Sequence, residues 1–439
     1  MVVIKKSSHS LDVNCRHAAA LTGADRHKIQ VALRLFRRLV RLHEEYIENG
    51  EQDLARQTRQ FIGRVINYHS SIATIEQNIY VNYQGPRLNI NSEQIDEGMI
   101  GAIYRFKTRE QLTRLLEGFQ IPAVFVVPEV GYRFGGEELL LLVLERCALG
   151  LRYLDLQQKY HIHHSTICRG VNYFAKWFNE NWGYLLRDNL DFWGDYLEDS
   201  RDAVKNKMLS QYDFNVDEEI EDEFTIAMFI DCTIIRTDRP GGGPVEPGVF
   251  AARYPFLVQE ALYNGWKKCH GIKKQSIGMA NGMAFHVSKG YSCRRNDLHV
   301  LNETNIDDRL VELTIGNPPA ERFTCYGDSA YPMSQRISCR RDGEEFTELN
   351  KAMNGCRESI EWMYRDVTQY WKIIQTKRTF RLLTGYEKAD NIIDLCFQFN
   401  NAWNTMNHNE CSQWFDCAPP TFEVYTGNGP RAEVEINAM

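Results

Sequence analysis

Three carboxylates mark where this chain can do chemistry. Asp231 closes a continuous apolar run, Thr225–Ile230, which reads as a buried strand. Asp328 follows a second short run, Arg322–Tyr326, and Glu361 lies on a long helix predicted over residues 351–375. In an open α/β sheet, ligands bind at strand ends, and a helix packed on the sheet can aim an acid at the same edge. Carboxylates brought together there repel one another unless cations lie between them. Hard divalent ions such as Mg2+ or Mn2+ prefer oxygen ligands. Two such ions about 4 Å apart can hold the attacking and leaving oxygens of an in-line phosphoryl displacement. Asp297 is the reserve carboxylate if Glu361 points away.

The elements that must position these acids follow a recognisable order. After Thr225–Ile230 come two strands, Lys274–Ala280 and Met283–Ser288, joined by Asn281-Gly282, a strong hairpin signal. A helix over 298–313, the strand Arg322–Tyr326, the helix over 351–375 and a last amphipathic helix over 388–405 complete the series. Strand, strand, strand, helix, strand, helix is the order of a ribonuclease-H-like core, a mixed α/β sheet with flanking helices. Basic residues lie between the acids: Lys267, Lys268, Lys273 and Lys274 before the second strand, Arg294 and Arg295 after the third, Arg357 one turn before Glu361, and Lys372, Lys377 and Arg378 beyond it. They can neutralise phosphates along a groove, or they are ordinary surface charge. His270 is equally consistent with orienting a strand end and with a structural role. Trp362 reads as core.

The region before this core reads as all-α. Helices are expected over 26–48, with a basic face of Arg34, Arg37, Arg38 and Arg41, over 52–79, and over Thr108–Phe119. Pro122, Pro128 and Gly135-Gly136 then break the chain. Glu137–Leu149, the short Leu154–Tyr160 and the longer His163–Phe178 describe a helix-turn-helix spanning 137–190. Ile167, Val171, Phe174 and Phe178 should face a core, which leaves Thr166, Arg169 and Asn172 outside that stripe to reach base edges. A plain three-helix bundle is the alternative. His161–His164 has no neighbouring carboxylate or cysteine and reads as a turn, not a metal site.

Composition narrows the class further. The 439 residues, 43% hydrophobic and 25% charged, are ordinary for a globular chain of a few domains. No apolar run reaches the ~20 residues of a membrane span, and the N-terminus lacks the apolar core of a secretory signal. Twelve cysteines without a CxxC pair or zinc spacing suggest buried thiols in a reducing compartment. The net charge of −7 seems wrong for a polyanion partner. However, residues 195–223 hold eleven acids and three bases, a local −8 that leaves the remainder near +1. That stretch reads as a solvated acidic linker, and residues 406–439 read as a C-terminal tail.

Five blocks in order then resemble PIF/Harbinger-type transposases and their domesticated nuclease relatives. They are FIDCTIIRTDRP (Phe229–Pro240), YNGWKKCHGIKKQ (Tyr263–Gln275), GYSCRRND (Gly290–Asp297), YGDSAYP (Tyr326–Pro332), and Asn350 through Arg357 to Glu361-Trp362. The likeness covers residues 224–405. GYSC replaces the usual Pro-Gly approach to the Arg pair, Asn296 stands where His is common, and residues 1–120 match no named pattern. The resemblance implies a DDE endonuclease with Asp231, Asp328 and Glu361 as ligands of two Mg2+ or Mn2+ ions. It also implies cut-and-paste transposition on double-stranded DNA, at terminal inverted repeats and a target site. DNA contacts are expected from Thr166, Arg169, Asn172, Lys268, Lys273, Arg294, Arg295 and Arg357. A homo-oligomer, a Myb-like protein partner and a nuclear location are further expectations. The alternatives are a domesticated nuclease with the same site and a catalytically silent DNA-binding protein.

Overall fold

The computed structural model describes residues 45, 49, 54, 58, 87–127, 132–187, 189–212, 224–239, 260–313, 322–343, 347–375, 386–427 and 429. The helices expected over 26–48 and 52–79 lie almost wholly outside these residues, as do 213–223, the Gly/Pro-rich 240–248, and Lys377 and Arg378. The chain forms two compact units, Met1–Arg87 with Arg152–Arg169, and Leu88–Leu151 with Gly170–Met439.

The second unit begins with two helices, α1 (Ile100–Tyr104) and α2 (Arg109–Gly118). Thr108 caps α2 by accepting the Gln111 N–H. The region is not all-α as expected, because Val124–Val127 (β1) and Tyr132–Gly135 (β2) pair as an antiparallel hairpin. β-branched and aromatic side chains dominate both strands and favour extended backbone. Helix α3 (Gly136–Leu149) buries residues on almost every side, not one face, and Gly150 ends it at φ 64°.

In the first unit, α4 (Tyr153–Tyr160) opens at Arg152, whose backbone N–H donates to Asp155 Oδ2 at 3.0 Å while its guanidinium pairs with the same carboxylate. His161 takes a left-handed conformation at its end. Helix α5 (His164–Trp182) follows, its residues from Gly170 onward belonging to the second unit, with His163 Nδ1 2.7 Å from Ser165 Oγ. A short helix, a tight turn and a longer helix thus follow one another here. Ile167, Val171, Phe174 and Phe178 are all buried.

The acidic stretch expected as a spacer is helical as far as Tyr212. Helix α6 (Leu190–Tyr212) buries Trp193, Leu197, Ser200, Val204 and Met208 at helical spacing. Ser200 Oγ donates to the Ala227 carbonyl and accepts the Ala280 N–H, tying α6 to the sheet. Glu198, Asp199 and Asp202 are exposed, which is how a charged sequence can still supply a core helix.

The sheet is built on β3 (Ile226–Arg236). One side of β3 pairs antiparallel with β5 (Cys269–Met279), and the other pairs parallel with β8 (Thr324–Tyr326). Three short strands line the outer edge of β5 in series: β4 (Tyr263–Asn264), β7 (Tyr291–Ser292) and β6 (Ala284–Val287). Strand β9 (Ile337–Ser338) continues the sheet parallel to β8. Helices α7 (Asp297–Thr304) and α8 (Ile306–Leu313) divide the single helix expected over 298–313. Helix α9 (Thr347–Tyr370) packs on the sheet, where Gly278 leaves room for Met363 and Ile360. Helix α10 (Tyr386–Asn407) is followed by α11 (Glu410–Phe415) and α12 (Phe422–Thr426), so the described part of the expected tail, as far as Thr426, is folded. Phe415 lies parallel to Phe229 with ring centroids 6.1 Å apart. This mixed sheet flanked by helices is broadly ribonuclease-H-like.

The Asn281-Gly282 turn is closed from outside. Gly282 has φ 77°, and a Cβ there would stand 2.1 Å from Asn409 Oδ1. Asn409 Nδ2 itself donates to the Asn281 carbonyl. Gly282→Ala is therefore expected to cost about 1–3 kcal/mol through left-handed strain and the displaced Asn409. Thermal unfolding would read this as a Tm drop of several degrees.

Candidate active site

Asp231 does not end its strand, as the apolar run suggested. It lies in the middle of β3, opposite Ser276 of β5. What stops near it is the pairing on the other side. The parallel ladder to β8 closes at Phe229 and Tyr326. Asp231 and Asp328 each follow that last pair by two residues, so the register carries both acids to the same edge of the sheet and onto the same face. The intervening Gly327 is required by close packing, since a Cβ there would meet the Tyr331 ring at 2.7 Å.

Each aspartate is held by a local backbone donor. Asp231 Oδ1 accepts the Cys232 N–H at 2.7 Å, and Asp328 Oδ1 accepts the Ala330 N–H at 2.9 Å. The Asp231 carboxyl is pushed up to about 6, chiefly by burial and further by Asp328 and Asp297. The Cys232 N–H and the Arg357 guanidinium act in the opposite direction. The site is thus a half-buried anionic edge with less positive charge than its acids call for.

Helix α9 covers the face on which Asp231 lies. Tyr364 Oη donates to the Asp231 carbonyl at 2.7 Å, fixing the helix to that position of the strand. Two turns earlier is Arg357. One of its nitrogens, Nε, is buried and makes no hydrogen bond. Its Nη2 stands 3.5 Å from Glu361 Oε1, a loose ion pair, and the Glu361 side chain is 57% exposed. The expected meeting of three carboxylates is therefore incomplete. Among the described residues, no three His, Cys, Asp or Glu side chains stand close enough to hold an ion.

The reverse face of β3 carries a neutral polar chain. Thr304 Oγ1 donates to Gln275 Oε1, Gln275 Nε2 to Tyr331 Oη at 3.5 Å, and Tyr331 Oη to Cys232 Sγ at 3.4 Å. Burial raises both the Cys232 thiol and the Tyr331 phenol, so both remain protonated. Asp297, the reserve acid, begins α7 on this side and is held 2.5 Å from Lys273 Nζ.

The basic residues divide into exposed and internal groups. Lys268, Arg294 and Arg295 are exposed, and Arg294 pairs with Glu260 at 2.6 Å. Lys273 is buried against Asp297, contrary to its expected phosphate role. Lys274 is fully buried between Asp390 and Asp394 of α10, so the four-lysine cluster does not form one surface. His270 pairs with Tyr263 six residues along β5 from Ser276, roughly 20 Å from the aspartates by strand rise. Trp362 is half-buried against Trp414, ring centroids 5.4 Å apart. On α5, Arg169 is exposed and Thr166 and Asn172 are half-buried.

Sequence reading missed Arg340 and Arg341. These follow β9, are exposed, and act electrostatically on Tyr326 at the mouth of the site. Only the Arg doublet itself was available as a signal, because the strand before it is made by tertiary pairing. It also missed Tyr364, for which only the helical spacing from Arg357 was available.

The donor set suits a hard divalent ion. The two acids offer oxygen, and each has one oxygen committed to a backbone N–H. Glu361 is within one helical turn of Arg357 and pairs loosely with it. Residues 230–401, less than half of the chain, match the family described as DDE superfamily endonuclease. No curated protein and no solved structure matches the chain.

Proposed function

We propose that residues 224–405 cleave and join DNA phosphodiesters as a DDE-type transposase of the PIF/Harbinger kind, with Asp231, Asp328 and Glu361 holding Mg2+ or Mn2+. The observation that carries this reading is that Asp231 and Asp328 each lie two residues past the last pair of the parallel β3–β8 ladder, close enough for Asp328 and Arg357 both to act electrostatically on Asp231. Divalent ions, when bound, supply the charge that activates a water or 3′-hydroxyl and steadies the leaving oxygen. The chain's own groups do the rest. Backbone N–H groups fix the orientation of both aspartates. Tyr364 locks α9 over Asp231. Arg357 brings positive charge to Asp231 and is the guanidinium nearest in the chain to pair with a phosphate there. Lys268, Arg294, Arg295, Arg340 and Arg341 neutralise the DNA backbone, and Thr166, Arg169 and Asn172 read bases from α5. Self-association, a Myb-like partner and a nuclear location accompany the reading.

A catalytically silent DNA-binding protein is the second reading, favoured by the Glu361–Arg357 pair in place of a closed carboxylate cluster. A metal switch separates the two. Asp328→Cys should lose Mg2+-dependent plasmid nicking and regain part of it in Mn2+, because thiolate prefers the softer ion. Asp328→Ala should regain none. Full Mg2+ activity in either variant would remove Asp328 from the site.

A further inference from the structure

Trp266 is 91% exposed, whereas the other exposed large apolar side chains among the described residues reach at most 57%. It occupies the turn 265–268 between β4 and β5, flanked by the exposed Lys267 and Lys268. The turn is rigidly mounted. Asn264 Oδ1 accepts the Lys267 N–H at 2.8 Å, and Asn264 Nδ2 donates to the Cys293 carbonyl at 2.7 Å. Lys268 is fixed at φ 47°. The second bond ties the turn to the segment after β7, which carries the exposed Arg294 and Arg295.

We infer that Trp266 stacks on an unpaired DNA base while Lys267, Lys268 and Arg295 hold the adjoining phosphates. The inference rests on the proposed DNA substrate. An indole face takes any base, and neighbouring cations take the backbone, which is how sequence-tolerant single-strand sites are built. The faces of paired bases are covered by their stacked neighbours, so a one-residue tip reaches a π-face only where the stack is open. Counting the seven residues of β5 from Ser276 back to Cys269 places the tip roughly 23 Å from Asp231. That is about seven base-pair steps. The tip therefore holds DNA away from the scissile phosphate.

The test uses the full chain in EDTA with two labelled DNAs, a blunt duplex and the same duplex ending in a short single-stranded tail. Fluorescence anisotropy should show Trp266→Ala losing about tenfold on the tailed DNA and less than about twofold on the blunt one. Trp266→Phe should retain most of the preference. Lys267→Ala with Lys268→Ala should weaken both and flatten the salt dependence by about two phosphate charges. Equal loss on both DNAs, or no loss with Trp266→Ala, overturns the stacking role while leaving the nuclease reading intact. Wild-type protein that binds neither DNA overturns both.

Discussion

Replacing Asp231 by Asn should abolish divalent-ion-dependent DNA cleavage and, in EDTA, make the protein more stable. The loss of cleavage should exceed about 10³-fold, since removing a metal ligand forfeits several kcal/mol of transition-state charge stabilisation. The gain in stability has a separate cause. Burial and the neighbouring acids lift the folded Asp231 carboxyl to about 6, above the ~3.9 of an unfolded aspartate. A group raised in the folded state costs nothing below its unfolded value and its full penalty above its folded value. The advantage of Asp231→Asn over wild type should therefore be absent below about pH 4, grow between about pH 4 and 6, and level off above that at ~2 kcal/mol. Added Mg2+ should cancel it by stabilising only the wild type. Asparagine still accepts the Cys232 N–H, so local geometry is preserved. Thermal unfolding across pH, with and without Mg2+, checks both halves. An Asn protein less stable than wild type at pH 7.5 in EDTA would contradict the charge argument.

Lys274→Met should be the most damaging single change away from the aspartates. Lys274 Nζ is fully buried, 2.6 Å from a carboxylate oxygen of both Asp390 and Asp394 and 3.0 Å from the Ser288 carbonyl. Arg187 also reaches Asp394. Asp390 in turn accepts the Gly290 N–H. Removing the lysine leaves carboxylates buried with too little compensation, a loss of about 3–5 kcal/mol. A Tm lower by roughly 10 °C follows. Adding Asp390→Asn should recover part of it. DNA affinity per folded molecule should not change, and a selective loss of affinity without a Tm shift would return Lys274 to the phosphate groove.

That contrast shows what sequence could and could not convey. Lys273 and Lys274 are adjacent, and read as charge they form one basic patch. In a strand, adjacent side chains take opposite faces, so one goes to Asp297 and the other to α10. The partners lie 24 and 120 residues away, and no local pattern announces them. Asp231 was read as a strand end because it interrupts apolar residues, yet Thr233, Ile234 and Ile235 after it are strong strand formers. The interruption falls inside the element, not at its end. The hairpin at Asn281-Gly282 was legible because its turn chemistry is local. Strands β4, β7 and β9, of two residues each, were not, because tertiary pairing alone makes them strands. In α6, Trp193, Leu197, Val204 and Met208 carried a helical period that the surrounding acids masked. The placement of Asp231 on a strand and of Glu361 on a long helix was legible. The side-chain direction of Glu361 was not, because it depends on its contact with Arg357.

The account stands or falls on whether Asp231 and Asp328 serve phosphodiester cleavage. The direct measurement is nicking of supercoiled plasmid by the purified full chain in Mg2+ or Mn2+, beside Asp328→Asn and an EDTA control. The account predicts nicked product from the wild type alone, dependent on the ion and absent with Asp328→Asn. Equal nicking by wild type and Asp328→Asn, or nicking that persists in EDTA, would contradict it.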